Sequence, residues 1–184
     1  MSTDNTGYRQ YEFRTQPWFD QAKFDGFNQA IPMKTIVIHC FDPRAADIPQ
    51  AVAAHFGDEV YPGENILDEA GNRVGHTRTL FAVANAGGRA LAALQSVATM
   101  DYLFNRVEKV VVVHHSFCGA TSFTPEILVD SFQEHHHADI APLFEHDVAL
   151  LRASPAVPKS VKLYGFFYEM NTGKLVELAR DIPA

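Results

Sequence analysis

The sequence predicts an α/β protein with a mainly parallel β-sheet flanked by helices. Two short runs rich in β-branched residues, KTIVIHC and KVVVVHH, are typical of buried parallel strands. Between them lies a stretch with apolar residues at helical spacing, which suits a crossover helix. A third apolar run, SVKLYGFFYEM, follows near the end of the chain. Strands that alternate with helices in this way favour a sheet with functional loops at its carboxyl edge.

The predicted elements follow one another along the chain. The first strand covers residues 34–40, the crossover helix 87–103 and the second strand 109–115. The third strand covers residues 160–170. The turn signal at 171–173, Asn-Thr-Gly, then separates it from LVEL, where the strand alternation resumes.

Residues 1–32 form a different kind of segment, polar and aromatic without strand alternation. We expect them to be an N-terminal helical arm, and residues 33–184 to form a single domain. The aromatic residues of the arm are Tyr8, Tyr11, Phe13, Trp18, Phe19, Phe24 and Phe27. They pack either on the chain's own core or on a second subunit.

The composition limits the classes of function. A net charge of -7 gives no general basic field that would attract nucleic acid or an anionic membrane surface. No apolar run approaches the roughly 20 residues that cross a bilayer, and the start of the chain lacks the apolar part of a secretory signal. We therefore expect a cytoplasmic protein that acts on a small molecule; targeting to an organelle stays open.

Residues with metal-binding chemistry stand where the first two strands end. Cys40 closes the first strand, His115 closes the second, and Cys118 follows three residues later. Two thiolates and one imidazole suit tetrahedral zinc. Three protein ligands leave one position open, which distinguishes a catalytic zinc site from a structural one. We predict that these three residues bind Zn²⁺.

Asp42 and Arg44 follow Cys40 directly. A guanidinium two residues from a carboxylate can hold it in a bidentate pair and keep it ionised. Asp42 can then accept a hydrogen bond from zinc-bound water or compete for the metal. Alone, the pair would be an ordinary loop ion pair; beside a candidate zinc ligand we interpret both residues as catalytic.

The other histidines and the glycine turn are not predicted to bind the metal. His114 should point to the opposite side of its strand from His115 and pack in the core. The run 135–137 of three histidines is interpreted as a solvated helix face or loop rather than a second metal site or proton relay. Residues 85–88, Asn-Ala-Gly-Gly, predict a tight turn whose backbone donors face a substrate pocket.

With these motifs in place, the sequence resembles the β-class carbonic anhydrases, in a short form. Beyond the metal motifs, the resemblance is carried by NAGG at 85–88, VVVHHSFCGATSF at 111–123 and GFFYEMNTGKLVEL at 165–178. It extends over most of residues 33–178. It implies an obligate homodimer or higher homo-oligomer, with the site near the interface and the N-terminal arm wrapped around the partner subunit.

The resemblance also implies an activity for the domain at 33–184: reversible hydration of carbon dioxide to bicarbonate and a proton by a zinc-bound hydroxide. One alternative is hydrolysis of carbonyl sulfide or carbon disulfide at the same site, which the apolar Phe41 and Phe117 would suit. A second is a non-catalytic zinc-binding module, which would need a fourth ligand or a blocked pocket. The expected pocket residues are Phe41, Asn85, Ala86, Gly87, Phe117 and Gly119.

The sequence departs from the family pattern at three places. Phe117 stands where an acidic residue is frequent, and Ala84 stands where an arginine is frequent. The stretch between Arg44 and Asn85 is longer than usual, with an extra polar segment around 57–79. None of these departures removes a predicted ligand, but each lies where it can reshape the pocket.

Overall fold

A computed structural model describes residues 33–104, 107–122 and 144–184. The strands are β1 (Met33–Cys40), β2 (Glu59–Val60), β3 (Asn65–Leu67), β4 (Arg73–His76), β5 (Thr79–Asn85), β6 (Lys109–His115), β7 (Lys162–Glu169) and β8 (Lys174–Asp181). The α-helices are α1 (Ile48–Phe56), α2 (Ala90–Phe104), α3 (Gly119–Ser122) and α4 (Phe144–Ala153), with 3-10 turns at Pro43–Ala45 and Ala86–Gly88. The predicted arm at 1–32 and the histidine run at 135–137 lie outside the described residues.

Six strands form one sheet in the order β2-β5-β1-β6-β7-β8. Neighbouring strands are parallel except β8, which runs antiparallel to β7. The mainly parallel α/β fold predicted from the sequence is therefore confirmed. Strands β1 and β6 are direct neighbours, so the two predicted metal motifs emerge side by side at the carboxyl edge.

The middle of each central strand is an unbroken apolar run because helices cover both faces of the sheet. On one face, Ile38 and Val112 pack in a core cluster with Val97 of α2 and Leu151 of α4. On the other face, the cluster contains Val37, Val111 and Val113 of the strands with Ile48 and Val52 of α1. Each fully buried side chain of this kind stabilises the fold by about 1.5–3 kcal/mol.

The crossover helix begins later than its apolar spacing predicts, at Ala90 instead of Gly87. Gly87 and Gly88 adopt left-handed conformations with φ of 71° and 66°, and Arg89 is extended. A Cβ atom on Gly88 would lie 2.8 Å from the Val113 carbonyl oxygen and 3.0 Å from the Cys40 backbone nitrogen. This close approach requires glycine.

The extra segment around 57–79 has its own structure. It contributes the edge strand β2 and a separate two-stranded antiparallel sheet of β3 and β4. Its apolar side chains Ile66, Leu67 and Val74 are exposed. Among the described residues, no helix has the length and apolar character needed to cross a bilayer.

Candidate metal centre

The structure brings the three predicted zinc ligands together. Cys40 ends β1, His115 ends the neighbouring β6, and Cys118 follows in the loop before α3. The two sulfur atoms are 3.9 Å apart, and the candidate ligand atoms of all three side chains lie within 4.8 Å of one another. All three residues are buried. The described residues add no fourth Cys, His, Asp or Glu to this group.

The ring of His115 is oriented by its outer nitrogen. Nδ1 lies 2.9 Å from the Ser116 carbonyl oxygen and 2.9 Å from Met170 Sδ. A proton on Nδ1 donates to that carbonyl, which leaves the Nε2 lone pair free. Within the described chain, Nε2 is buried and has no hydrogen-bond partner. An unpaired buried polar atom costs about 1–3 kcal/mol, and a metal ion at this position would relieve that cost.

The two cysteines are free thiols in a buried environment. Burial raises the pKa of Cys40, while hydrogen bonds from the backbone N–H groups of Asp42 and Gly87 to its sulfur act in the opposite direction. A divalent cation would reverse this balance and bind both sulfurs as thiolates. The donor set of two sulfurs and one nitrogen therefore fits a tetrahedral metal with one further position.

Asp42 and Arg44 form the predicted pair beside the ligands. Arg44 Nε lies 3.0 Å from Asp42 Oδ1, and Nη2 lies 2.6 Å from Oδ2. The Arg44 backbone N–H also donates to Oδ1, at 2.9 Å. These hydrogen bonds lower the pKa of Asp42 to about 2. The carboxylate is consequently ionised at neutral pH and held by its partner.

The expected pocket residues occupy different positions around the metal centre. Phe41 and Phe117 are exposed, at 65% and 57% of their surface, and Phe117 has a left-handed φ of 56°. Ala86 and Gly119 are exposed as well. Asn85 uses its side chain inside the turn, where Oδ1 accepts from the Arg89 backbone N–H at 2.7 Å and Nδ2 donates to the Arg89 carbonyl at 3.0 Å. Gly87 is buried against Cys40.

Solved structures share this architecture. A carbonic anhydrase from Glaciozyma antarctica matches with a TM-score of 0.51 and 25% identity, over 92% of this chain and 99% of that one. A tetrameric β-carbonic anhydrase from Sordaria macrospora matches with a TM-score of 0.52 and 17% identity, over 94% and 90%. The chain has the β-carbonic anhydrase fold. The resemblance inferred from the sequence is confirmed at this level.

The β-carbonic anhydrase fold is not limited to one reaction. The metal-free form of a carbon disulfide hydrolase matches this chain with a TM-score of 0.53 and 18% identity, over 94% of this chain and 88% of that one. The sequence itself matches no known family profile and no curated protein. The fold therefore does not choose the substrate, and the choice depends on the residues of the site.

Sequence reasoning missed one group of residues behind the metal centre of this β-carbonic anhydrase fold. Asp147 of α4 is fully buried and contacts both Arg89 and His114. Burial alone would raise the pKa of Asp147, but hydrogen bonding to His114 and the charge of Arg89 hold it below its usual value. His114 points away from His115 into the core, as predicted. A charged residue on an apolar helix face, as in EHDVALL, is the one sequence signal for this group.

Proposed function

We propose that this chain catalyses the reversible hydration of carbon dioxide to bicarbonate and a proton, at a zinc ion held by Cys40, His115 and Cys118. The observation that supports this best is an ionised carboxylate, Asp42, held by Arg44 beside three buried metal ligands. A purely structural zinc site is normally closed by a fourth ligand and has no use for such a pair.

The ligands would bind zinc through the two cysteine sulfurs and His115 Nε2. When bound, zinc with an open position would lower the pKa of its water to about 7, which would supply a nucleophile at neutral pH. His115 presents Nε2 because its Nδ1 is occupied by the Ser116 carbonyl. This outer hydrogen bond fixes both the tautomer and the ring plane.

Asp42 would orient the reacting water in this proposal. An ionised carboxylate accepts hydrogen bonds and donates none, so it selects one orientation of a neighbouring O–H group. A carboxyl group with a pKa of about 2 holds no proton near neutral pH, so Asp42 does not store the released proton, which passes to buffer. Arg44 keeps Asp42 ionised and engages both of its carboxylate oxygens.

Hydrolysis of carbonyl sulfide or carbon disulfide is the second candidate function. Two exposed phenylalanines, Phe41 and Phe117, flank the ligands, and apolar surface of this kind favours sulfur-bearing substrates over carbon dioxide. One protein of the same fold is a carbon disulfide hydrolase. The chemistry at Asp42 and Arg44 would be the same for either substrate.

The deciding experiment is an assay of the zinc-loaded protein with carbon dioxide, carbonyl sulfide and carbon disulfide, beside the metal-free protein. We expect turnover of carbon dioxide that depends on zinc. Turnover of only the sulfur compounds would favour the second candidate. A zinc-loaded protein that turns over none of the three would indicate a non-catalytic zinc-binding module.

Assembly and location are part of the same proposal. We propose a homodimer or higher homo-oligomer in the cytoplasm, with residues 1–32 of one subunit packed on the other. The aromatic content of 1–32 supports the assembly, as does the tetrameric state of the Sordaria macrospora enzyme of the same fold. The chain's two free cysteines are compatible with a reducing compartment.

A further inference from the structure

Asp147 lies on α4, outside the metal centre, and has no exposed surface. Its Oδ2 atom accepts hydrogen bonds from Arg89 Nε at 2.8 Å and from His114 Nε2 at 2.9 Å. Arg89 Nη2 reaches Oδ1 at 3.3 Å. One buried carboxylate thus binds two side chains from different parts of the sheet: Arg89, which follows β5, and His114, which lies near the end of β6.

Arg89 connects Asp147 to the turn that packs on Cys40. The Asn85 side chain forms hydrogen bonds with both the N–H and the carbonyl group of Arg89. Asn85 also pairs with Cys40 in the register of β5 and β1. The Asn85 carbonyl accepts from the Phe41 backbone N–H at 3.0 Å. Within the same turn, the Gly87 N–H donates to the Cys40 sulfur. A shift of Arg89 would therefore move the turn that packs on Cys40.

His114 connects Asp147 to the other two candidate ligands, His115 and Cys118. His114 and His115 are adjacent in β6, and adjacent strand residues point to opposite faces of the sheet. Holding the His114 ring on the α4 face fixes the rotation of the strand end. That rotation sets where His115 points on the opposite face, and Cys118 follows within three residues.

We propose that Asp147 is a positioning residue of the metal centre, which sets the separation of Cys40 from His115 and Cys118 through Arg89 and His114. The inference rests on the proposed zinc site. Because the metal needs its three ligands at fixed distances, a small shift of Cys40 relative to His115 and Cys118 weakens metal binding. Outer residues that orient ligands typically contribute about 10–100-fold to metal affinity.

The chain offers a matched control at the opposite edge of the same sheet. Asp58 is equally buried and contacts Arg78 Nε at 3.2 Å and Lys109 Nζ at 3.1 Å. Thr35 Oγ1 donates to it at 2.5 Å. Lys109 and Thr35 lie at the start of β6 and near the start of β1, whereas the ligands lie at the strand ends. Asp58→Asn should therefore destabilise the fold without moving the ligands.

The test compares Asp147→Asn with Asp58→Asn in the full chain. The measurements are the Tm of the metal-free protein, the zinc Kd by chelator competition, and the visible absorption spectrum of the cobalt-substituted protein. Both variants should lose Tm, since each leaves a buried cation, Arg89 or Lys109, without its counter-charge. Asp147→Asn alone should weaken zinc binding by about 10-fold or more and change the cobalt spectrum. Equal zinc affinity and equal spectra in the two variants would overturn the proposal.

A second variant decides the question if Asp147→Asn does not fold. His114→Leu removes the hydrogen bond between residue 114 and Asp147 and leaves the Asp147–Arg89 pair intact. It should weaken zinc binding by about 10-fold, the lower end of the usual range for residues that orient metal ligands. His114→Gln restores an N–H donor, so its zinc affinity should lie between those of His114→Leu and the wild type. A wild type that binds no zinc would refute the proposed function itself. A wild type that binds zinc no better than His114→Leu would refute only the role of Asp147.

Discussion

Arg44 contacts both oxygens of Asp42, at 3.0 Å through Nε and at 2.6 Å through Nη2. The same Nη2 donates to the backbone carbonyl of Phe117, at 3.2 Å. The guanidinium therefore joins the loop after β1 to the loop between His115 and Cys118. The Phe117 carbonyl thus helps to fix the guanidinium that holds Asp42, although the Arg44 side chain is largely exposed.

Replacing Arg44 with alanine should release Asp42 onto the metal. The freed carboxylate can then take the open position at about 2.0–2.2 Å, so zinc content should stay near that of the wild type while turnover is abolished. Zinc analysis, kinetics and a crystal structure of the zinc-loaded variant check this. Asp42→Ala is the matched control: it keeps the position open and loses orientation, a loss of about 100-fold. A fully active Arg44→Ala protein with a solvent ligand on zinc would show that Arg44 is not what keeps Asp42 off the metal.

Removal of any single ligand should remove most of the metal. The wild type should bind about one zinc per chain, because three ligands converge on one point. Cys40→Ser, His115→Ala and Cys118→Ser should each lose most of it, as measured by atomic absorption after dialysis. His76→Ala, on the β3–β4 hairpin, should keep the full content. A wild type purified with a Cys40–Cys118 disulfide and no metal would contradict the zinc site.

Phe117 should influence substrate choice more than stability. A left-handed backbone at a bulky residue costs about 1–2 kcal/mol, and asparagine adopts this conformation more readily. Phe117→Asn should therefore keep or raise the Tm while it lowers carbon disulfide turnover relative to carbon dioxide hydration. Phe117→Leu, which stays apolar, should preserve that ratio. If Phe117→Asn leaves the ratio unchanged, the phenylalanine does not contact the substrate.

Glu108 should support the fold only above strongly acidic pH. Burial acts to raise the pKa of Glu108, but Lys34 at 2.9 Å and Arg78 at 2.7 Å lower it to about 2. A lowered pKa means that the unfolded chain binds the proton more readily than the folded one. The contribution is complete above the unfolded pKa of about 4.3 and disappears as the pH falls through about 2.

Glu108→Gln tests this pH dependence. The variant should melt below the wild type at pH 6, and the difference in Tm should narrow between pH 4.5 and pH 2, as followed by circular dichroism. The effect should be small because half-exposed ion pairs contribute about 0–1 kcal/mol. A difference in Tm that stays constant down to pH 2 would show that the lost interaction does not depend on the charge of Glu108.

Deletion of residues 1–27 should weaken the assembly. The aromatic residues in this segment would leave an apolar surface uncovered on their partner, which favours a weaker dimer or an insoluble chain. Sedimentation velocity on the full and shortened chains measures the change. If the shortened protein keeps its mass, solubility and activity, residues 1–27 take no part in assembly.

The sequence predicts those parts of the fold that carry a local signal. Strands β1, β6 and β7 were recognisable because buried parallel strands are continuous runs of apolar residues, and β1 and β6 each end in a candidate metal ligand. The strand β5 was missed although TLFAVAN contains an apolar run, because it begins after a polar hairpin and two of its residues are alanines, which have low strand propensity. The start of α2 was misplaced because helical spacing continues through the two glycines, whereas their left-handed φ angles delay the helix.

The group around Asp147 could not be predicted because its contacts are distant in the sequence. Arg89 and Asp147 are 58 residues apart, and His114 and Asp147 are 33 apart. Arg89 follows a predicted turn, where a charged side chain is expected to face solvent. Only the packing of α4 against α2 and β6 turns it into a buried cation. The ligand set, by contrast, followed from residue type and strand order alone.

The fit of Gly88 against the main chain of β1 and β6 has a practical meaning for protein engineering. No side chain can be added there without moving the Val113 carbonyl or the Cys40 backbone, so randomising this turn would yield mostly inactive clones. Phe41 and Phe117 project from the same region with most of their surface free. Libraries that seek new substrates should vary those two positions and leave the glycine turn untouched.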